Sequence, residues 1–157
     1  MSVEHLNAEE NAAFSHILCK SRPPQGSASG GHTAYRHYAQ TDTPHFPCLT
    51  AHATKIPGLV FVSGQTPIDG AGNLVQGSIQ DKTEAVLKNV GNVLKAAGTA
   101  WEKVVKVNVY LKNMDDFAEM NKVYEKLVPA PKPARTCIQA AKLPNDVDVE
   151  IEAIAAV

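Results

Sequence analysis

Arg135 and Glu150 are the residues whose types and positions best suit chemistry on a small organic acid. Arg135 opens an apolar, β-rich run, and Glu150 stands in the middle of the next such run. A guanidinium offers a planar fork of donors that binds a carboxylate bidentately. A glutamate near the bound acid can transfer a proton or hold a water molecule. The turn residues at 143–146 predict that the two strands are neighbours, with both side chains facing a common cleft.

Each of these residues also has a simpler explanation. Glu150 alternates with Asp148 and Glu152, and a solvated strand face accounts for all three carboxylates. An arginine beside a strand, such as Arg135, also suits a surface or interface ion pair. Cys137 is a possible nucleophile, but no histidine lies near it in the sequence, so a small core residue is favoured. The pattern alone leaves the chemical and the structural interpretations open.

One group of residues has the composition of a metal site but not its spacing. Its members are His32, His37, His45, Cys48 and His52. Zinc sites place their ligands in short regular patterns, whereas these intervals are irregular. A loop that happens to be histidine-rich is the favoured interpretation, so we expect no metal there.

Length and charge exclude several classes of partner. The chain has 157 residues, a hydrophobic fraction of 44%, a charged fraction of 20% and a formal net charge of −1. The length suits one domain with its own core. The charge balance offers no basic surface for nucleic acid, and no apolar stretch reaches the roughly 18 residues of a membrane span. We therefore expect a small-molecule ligand and no nucleic-acid or membrane partner.

The cysteines and the first residues bear on the cellular compartment. The cysteine count is odd and no Cys-x-x-Cys spacing occurs, which is typical of a reducing compartment. The N-terminus lacks the pattern of a secretory signal, and Glu4, Glu9 and Glu10 do not suit a mitochondrial presequence. The sequence predicts a cytoplasmic protein, with a mitochondrial location less favoured.

The elements that must position Arg135 and Glu150 lie after a compositionally distinct N-terminal part. Residues 21–31 are rich in proline, glycine and serine, as in flexible linkers. We therefore divide the chain into a partly flexible extension, 1–45, and a domain, 46–157.

Within the domain, residue periodicity predicts a layered fold. The expected elements are strands 59–64 and 74–75, a helix 78–97, a strand 104–111, a helix 113–128, and strands 135–141 and 147–155. Their order predicts an α+β fold with two helices on one face of a mixed sheet. The other face needs a cover, and another subunit is the expected one.

The same patterns predict which side chains face the core. Strand 104–111 is expected to bury Val105, Val107, Val109 and Leu111. The second helix is expected to bury Phe117, Met120, Tyr124 and Leu127.

Three motifs, in this order, resemble the Rid family of reactive-intermediate deaminases, also called YjgF-like or endoribonuclease L-PSP-like proteins. They are LVFVSGQTP at 59–67, NMDDF at 113–117, and a closing signature in which PAR at 133–135 is followed by EIEA at 150–153. The resemblance covers about residues 50–157.

The resemblance implies a chorismate-mutase-like α+β fold and a homotrimer with clefts between subunits. Archetypal members hydrolyse enamine and imine intermediates, such as 2-aminoacrylate and 2-iminobutyrate (2-iminobutanoate), to 2-keto acids and ammonia, without a cofactor or metal. The resemblance thus predicts a hydrolase, an imine or enamine deaminase that acts in metabolite damage control.

It also implies roles for individual residues. Arg135 matches the carboxylate-binding arginine, and Glu150 matches the glutamate that orients or activates water. Further positions that match residues lining the ligand site are Ser63, Gly64, Asn121 and Cys137.

The chain departs from the archetype at Thr50, which stands where a tyrosine points into the neighbouring subunit's site. Candidate aromatic replacements are Tyr35 and Tyr38 in the extension and Phe46 directly after it. Two alternatives to the deaminase therefore stay open. One is a non-catalytic Rid-like protein that binds small carboxylates or is chaperone-like. The other is a specialised biosynthetic catalyst that acts on a bulkier imine-bearing intermediate.

Overall fold

The computed structural model describes residues 51–157 and the backbone of residues 4–6. These residues form one six-stranded mixed sheet with two helices packed on one face. The elements are β1 (Glu4–Leu6), β2 (Ala53–Ile56), β3 (Leu59–Gln65), α1 (Ile79–Ala96), β4 (Val104–Leu111), α2 (Phe117–Leu127), β5 (Ala134–Gln139) and β6 (Val149–Ala156). The α+β class with both helices on one face is therefore confirmed.

The strand order is β1-β2-β3-β6-β4-β5, with β5 parallel to β4 and all other pairs antiparallel. The prediction that the last two strands are neighbours is wrong, because β4 lies between them. The connection from β5 to β6 passes around the end of β4. The Ala140 N–H bonds to the Leu111 carbonyl, and the Lys112 N–H bonds to the Asp148 carbonyl, each at 2.9 Å.

The core lies between the sheet and the helices. Along each strand, every second side chain points toward the helices and is buried, as expected for a sheet covered on one side. The fully buried positions of the central strands are Val60, Val107, Val109, Leu111, Val149, Ile151 and Ala155. From α2, Met120 and Tyr124 are buried, whereas Phe117 and Leu127 are exposed, so the inward stripe predicted for this helix was too wide.

Val105 is 51% exposed, against the prediction that it faces the core. The register between β4 and β6 shifts between Val104 and Lys106, which indicates a β-bulge. Because the bulge adds one residue to β4, the Val105 side chain faces outward. The alternation of outward and buried side chains resumes at Lys106. A bulge of this kind leaves the hydrophobic pattern intact and is invisible in the sequence.

The helix α1 begins as predicted at a capping box. The Asp81 N–H donates to Ser78 Oγ at 3.2 Å, and the Ser78 N–H donates to Asp81 Oδ2 at 2.9 Å. The strand expected at 74–75 is reduced to one bridge between Ile68 and Leu74. Sequence periodicity also missed β2, which is only four residues long.

The sheet face opposite the helices, here called the open face, combines polar and apolar side chains. It presents Thr54, Phe61, Lys106, Asn108, Tyr110, Glu150, Glu152 and Ile154. Phe61 is 40% exposed there. Within residues 51–157 no helix covers this face.

The N-terminal residues Glu4–Leu6 pair antiparallel with β2 at the sheet edge, so part of the predicted extension belongs to the sheet. Residues 7–50 lie outside the described part of the chain, and the division at 45/46 stays a prediction. Among the described residues no helix has the length and apolarity needed to cross a membrane.

Candidate functional site

The Arg135 side chain lies on the helix side of the sheet, against α2. Its strand places it there, because Arg135 is paired with Val107, which faces the core. Arg135 Nη1 donates a hydrogen bond to Asn121 Oδ1 at 2.7 Å. The guanidinium carbon lies 4.5 Å from the centre of the Tyr124 ring and 5.7 Å from that of Phe117. These contacts hold the guanidinium in one orientation.

The guanidinium of Arg135 has no carboxylate partner among the described residues, whose ion pairs all involve lysines. Its recorded hydrogen bond goes to the neutral amide of Asn121. Several N–H groups of the fork therefore stay available to an anion. A half-buried guanidinium of this kind favours a bidentate carboxylate.

Cys137 lies two residues beyond Arg135 on the same side of β5, half-buried and packed against the core. Burial raises the pKa of the Cys137 thiol, and the charge of Arg135 opposes that effect. A raised thiol pKa disfavours the nucleophilic thiolate. Cys137 is thus placed to line a site and not to attack a substrate. Arg135, Asn121, Phe117, Tyr124 and Cys137 together are called the carboxylate half-site.

Glu150 lies on the open face of β6, paired with Tyr110 of β4. Its carboxylate occupies the space that a side chain at Gly64 would need. A Cβ on Gly64 would lie 1.8 Å from Glu150 Oε1. The β3–β6 register is irregular at this point, between Val62 and Gln65. Burial raises the pKa of Glu150, and the negative charge of Glu152 raises it further.

Ser63 and Gly64 are held in place by the segment before β2. Ser63 Oγ donates to the Ala51 carbonyl at 2.7 Å, and the Ser63 N–H donates to the His52 carbonyl at 3.0 Å. The buried Gln65 side chain donates to the Ser63 carbonyl at 2.9 Å. Burial lowers the pKa of His52, and its hydrogen bond to Gln65 opposes that shift. Ser63, Gly64 and Glu150 are called the acid–base half-site.

The two half-sites of one chain lie on opposite faces of the sheet. Arg135 is paired with Val107 of β4 and Glu150 with Tyr110. These β4 positions are an odd number of residues apart, so their side chains point to opposite faces. The expectation that both groups face one cleft of a single chain is therefore wrong.

A hollow of about 260 Å³ opens on the open face. Its lining includes Ser63, Lys106, Asn108 and Glu152 but no residue of the carboxylate half-site. This recess is thus not the place where the guanidinium would meet an acid.

Some sequence predictions concern residues that the structure describes only in part or not at all. Thr50 and the candidate replacement aromatics lie outside the described residues. Of the irregular histidine and cysteine group only His52 is described, and residues 51–157 contain no cluster of metal-ligating side chains. The sequence did not predict that the Tyr124 ring contacts the Arg135 guanidinium. The position of Tyr124 in the helical pattern is that of an ordinary core residue.

Comparisons with known proteins point to one family. The family model described as Endoribonuclease L-PSP matches residues 49–157. Protein HMF1 of Saccharomyces cerevisiae is 49% identical over 106 residues, which are 68% of this chain and 82% of that protein. Protein mmf2, mitochondrial, of Schizosaccharomyces pombe is 47% identical over 107 residues, covering 66% of this chain and 84% of that protein.

One relative and one solved structure have names that bear on function. Reactive Intermediate Deaminase A, chloroplastic, of Arabidopsis thaliana is 44% identical over 106 residues, covering 67% of this chain and 57% of that protein. The crystal structure of E. coli TdcF with bound serine aligns with a TM-score of 0.66 at 35% identity, covering 69% of this chain and 87% of that one. The family match covers both helices and every strand from β2 to β6, so the chain belongs to the endoribonuclease L-PSP family, the YjgF/Rid proteins.

Proposed function

We propose that the protein hydrolyses small enamine and imine acids, of the 2-aminoacrylate and 2-iminobutyrate type, to 2-keto acids and ammonia. The supporting observation is the Arg135 guanidinium, which is oriented by Asn121 and two aromatic rings and has no described carboxylate partner. A 2-imino acid provides the carboxylate that fits it. The name of the Arabidopsis relative supports the same reaction class.

The active site in this proposal is shared between subunits of a homotrimer. Arg135 and Glu150 of one chain lie on opposite sheet faces, so a cleft containing both groups needs two chains. Phe61 and Ile138, which are 40% and 47% exposed, give the chain apolar surface that a neighbouring subunit would cover. Arg135 of one subunit would then face the partner subunit's Glu150.

The reaction adds water across the carbon–nitrogen double bond. Arg135 binds the substrate carboxylate and directs the imine carbon toward a water molecule held by Glu150. As the water oxygen attacks this carbon, Glu150 accepts one water proton and passes it to the imine nitrogen, which gives the carbinolamine. Glu150 then transfers the hydroxyl proton of the carbinolamine to the same nitrogen as the carbon–nitrogen bond breaks. Ammonia leaves, the keto group forms, and Glu150 is ionised again. The raised pKa of Glu150 brings proton exchange closer to neutral pH.

A coupled assay tests the proposal. Threonine dehydratase generates 2-iminobutyrate, and the formation of 2-ketobutyrate is followed with and without this protein. We expect acceleration by the wild type and a loss of roughly 100-fold or more in Arg135→Ala, because the substrate is no longer oriented.

The matched control is Lys126→Ala, which removes an exposed cation from the same helix that carries Asn121. This variant should keep wild-type acceleration. Full activity in Arg135→Ala would contradict the proposal.

Non-catalytic binding of a small carboxylate is the second candidate, because the carboxylate half-site alone would suffice for it. The bound serine in the TdcF structure is an example of a small ligand on this fold. Calorimetric binding of 2-ketobutyrate, abolished in Arg135→Ala, without any acceleration of hydrolysis would favour this function. Acceleration only with larger imines would favour the specialised biosynthetic catalyst.

The compartment also belongs to the proposal. The sequence favours the cytoplasm, whereas the name of the fission-yeast relative supports a mitochondrial location.

A further inference from the structure

We propose that Glu152 is a positioning residue for the hydrolysis, a carboxylate anchored beside Glu150 on the open face and electrostatically coupled to it. The role of Glu152 in catalysis rests on the proposed function. The electrostatic coupling between the Glu152 and Glu150 carboxylates can be measured even in a protein without that activity.

Glu152 is held by two donors from β4. Glu152 Oε1 accepts a hydrogen bond from Asn108 Nδ2 at 2.6 Å and one from the Tyr110 hydroxyl at 3.0 Å. Asn108 is the residue paired with Glu152 in the β4–β6 register, whereas Tyr110 is paired with Glu150. The Tyr110 side chain therefore extends diagonally across the sheet face, past its paired residue Glu150, to reach Glu152. Two donors on one oxygen anchor the Glu152 carboxylate on the open face.

Glu150 stands two residues earlier on the same face and receives no hydrogen bond from any described residue. The cation that β4 presents on this face, Lys106, donates to Thr136 Oγ1 at 2.7 Å and pairs with neither carboxylate. The two neighbouring carboxylates therefore lie in different surroundings, one anchored by two donors and one without a described donor. Burial raises the pKa of Glu150, and the charge of Glu152 raises it further.

Within the subunit, the other ionisable groups around Glu150 do not reverse this arrangement. In the proposed shared cleft, Arg135 of the neighbouring subunit opposes it until the substrate carboxylate binds that guanidinium. The segment before β2 presents His52, whose pKa is lowered by burial, so it carries little positive charge near neutral pH. At the start of β6, Asp148 is paired with Lys82, and Asp146 with Lys112. β3 contains no ionisable residue, and those of β5 face the helices.

Glu152→Gln removes the charge and keeps the geometry. The amide oxygen can still accept from Asn108 and Tyr110, because both bonds end on the same oxygen. Loss of the negative charge should lower the pKa of Glu150, because the neighbouring anion no longer disfavours its ionised form. Glu150 must be ionised to act as a base. The pH at which kcat/KM falls on the acid side of its profile should therefore decrease by the same amount as the pKa of Glu150.

Two measurements on the 157-residue chain test the proposal. The first is the pH profile of 2-iminobutyrate hydrolysis. The second is the titration of the Glu150 carboxyl by carbon-13 NMR, assigned with Glu150→Gln. In both, the wild type is compared with Glu152→Gln, with Glu152→Asp, which retains the charge, and with the exposed-site control Glu125→Gln.

We expect Glu152→Gln to shift both curves to lower pH, with Glu152→Asp and the control close to wild type. Coincident Glu150 titrations in the wild type and Glu152→Gln would overturn the coupling, whatever the activity. A shifted titration in a protein that accelerates no hydrolysis would retain the coupling, overturn its catalytic role, and contradict the proposed function separately.

Discussion

Gly64 shows how the absence of a side chain positions a reactive group. Glu150 has no described hydrogen-bond donor, so the room beside Gly64 largely determines where its carboxylate lies. The Ser63 contacts with residues 51 and 52 fix the backbone around that room. The acid–base half-site therefore depends on packing and backbone geometry more than on hydrogen bonds to the carboxylate.

Gly64→Ala should displace the Glu150 carboxylate, because the new methyl would overlap Oε1. The displaced atom is the end of a flexible side chain, so the fold should tolerate the change. We expect hydrolysis to fall by about tenfold or more through misplacement of the base. The free energy of unfolding in urea should change by less than about 1 kcal/mol. Wild-type kinetics in this variant would show that the carboxylate position is unimportant.

At the scale of the elements, β4 organises both half-sites. It pairs in parallel with β5, which carries Arg135, and antiparallel with β6, which carries Glu150. Sequence periodicity located these strands well, because alternation records which face of a strand is buried. Strand order depends on which backbone edges meet, and side-chain alternation contains no record of that. The expected pairing of β5 with β6 therefore failed although both strands were recognised.

Ser78→Ala should loosen the start of α1. The variant loses the oxygen that accepts from the Asp81 N–H, and a helix N–H is left without that partner. We expect a loss of about 1 kcal/mol in the free energy of unfolding, measured by urea denaturation. Ser78→Thr keeps a capping hydroxyl and is the matched control. Equal losses in both variants would show that the cap is not the cause.

For the whole molecule, the placement of the half-sites makes assembly a condition of the proposed activity. A single subunit presents the carboxylate half-site on one sheet face and the acid–base half-site on the other. A monomeric mass in light scattering would contradict the shared cleft.

Mixed oligomers test the shared cleft directly. Arg135→Ala and Glu150→Gln subunits, each inactive alone, are unfolded together in equal amounts and refolded. If every site takes Arg135 from one subunit and Glu150 from the next, about one quarter of sites regain both residues. We therefore expect hydrolysis near a quarter of wild type in the mixture. The same proteins refolded separately and then combined are the control, and activity no higher than theirs would place both residues in one subunit.

The sequence by itself determined the class of fold, the extents of the main helices and strands, the capping box at Ser78 and the family. These features are recorded locally, in periodicity, in capping residues and in short motifs. It also singled out Arg135 and Asn121, which the structure joins by a hydrogen bond.

Only the tertiary structure decided that β4 separates the strands of Arg135 and Glu150, that a bulge turns Val105 outward, and that Asn108 and Tyr110 meet Glu152. Each of these features depends on the register between strands that are distant in sequence. The hydrophobic pattern specifies which face of each strand is buried. Which distant strands pair, and where a bulge falls between them, is decided by the packing of the whole sheet against its helices.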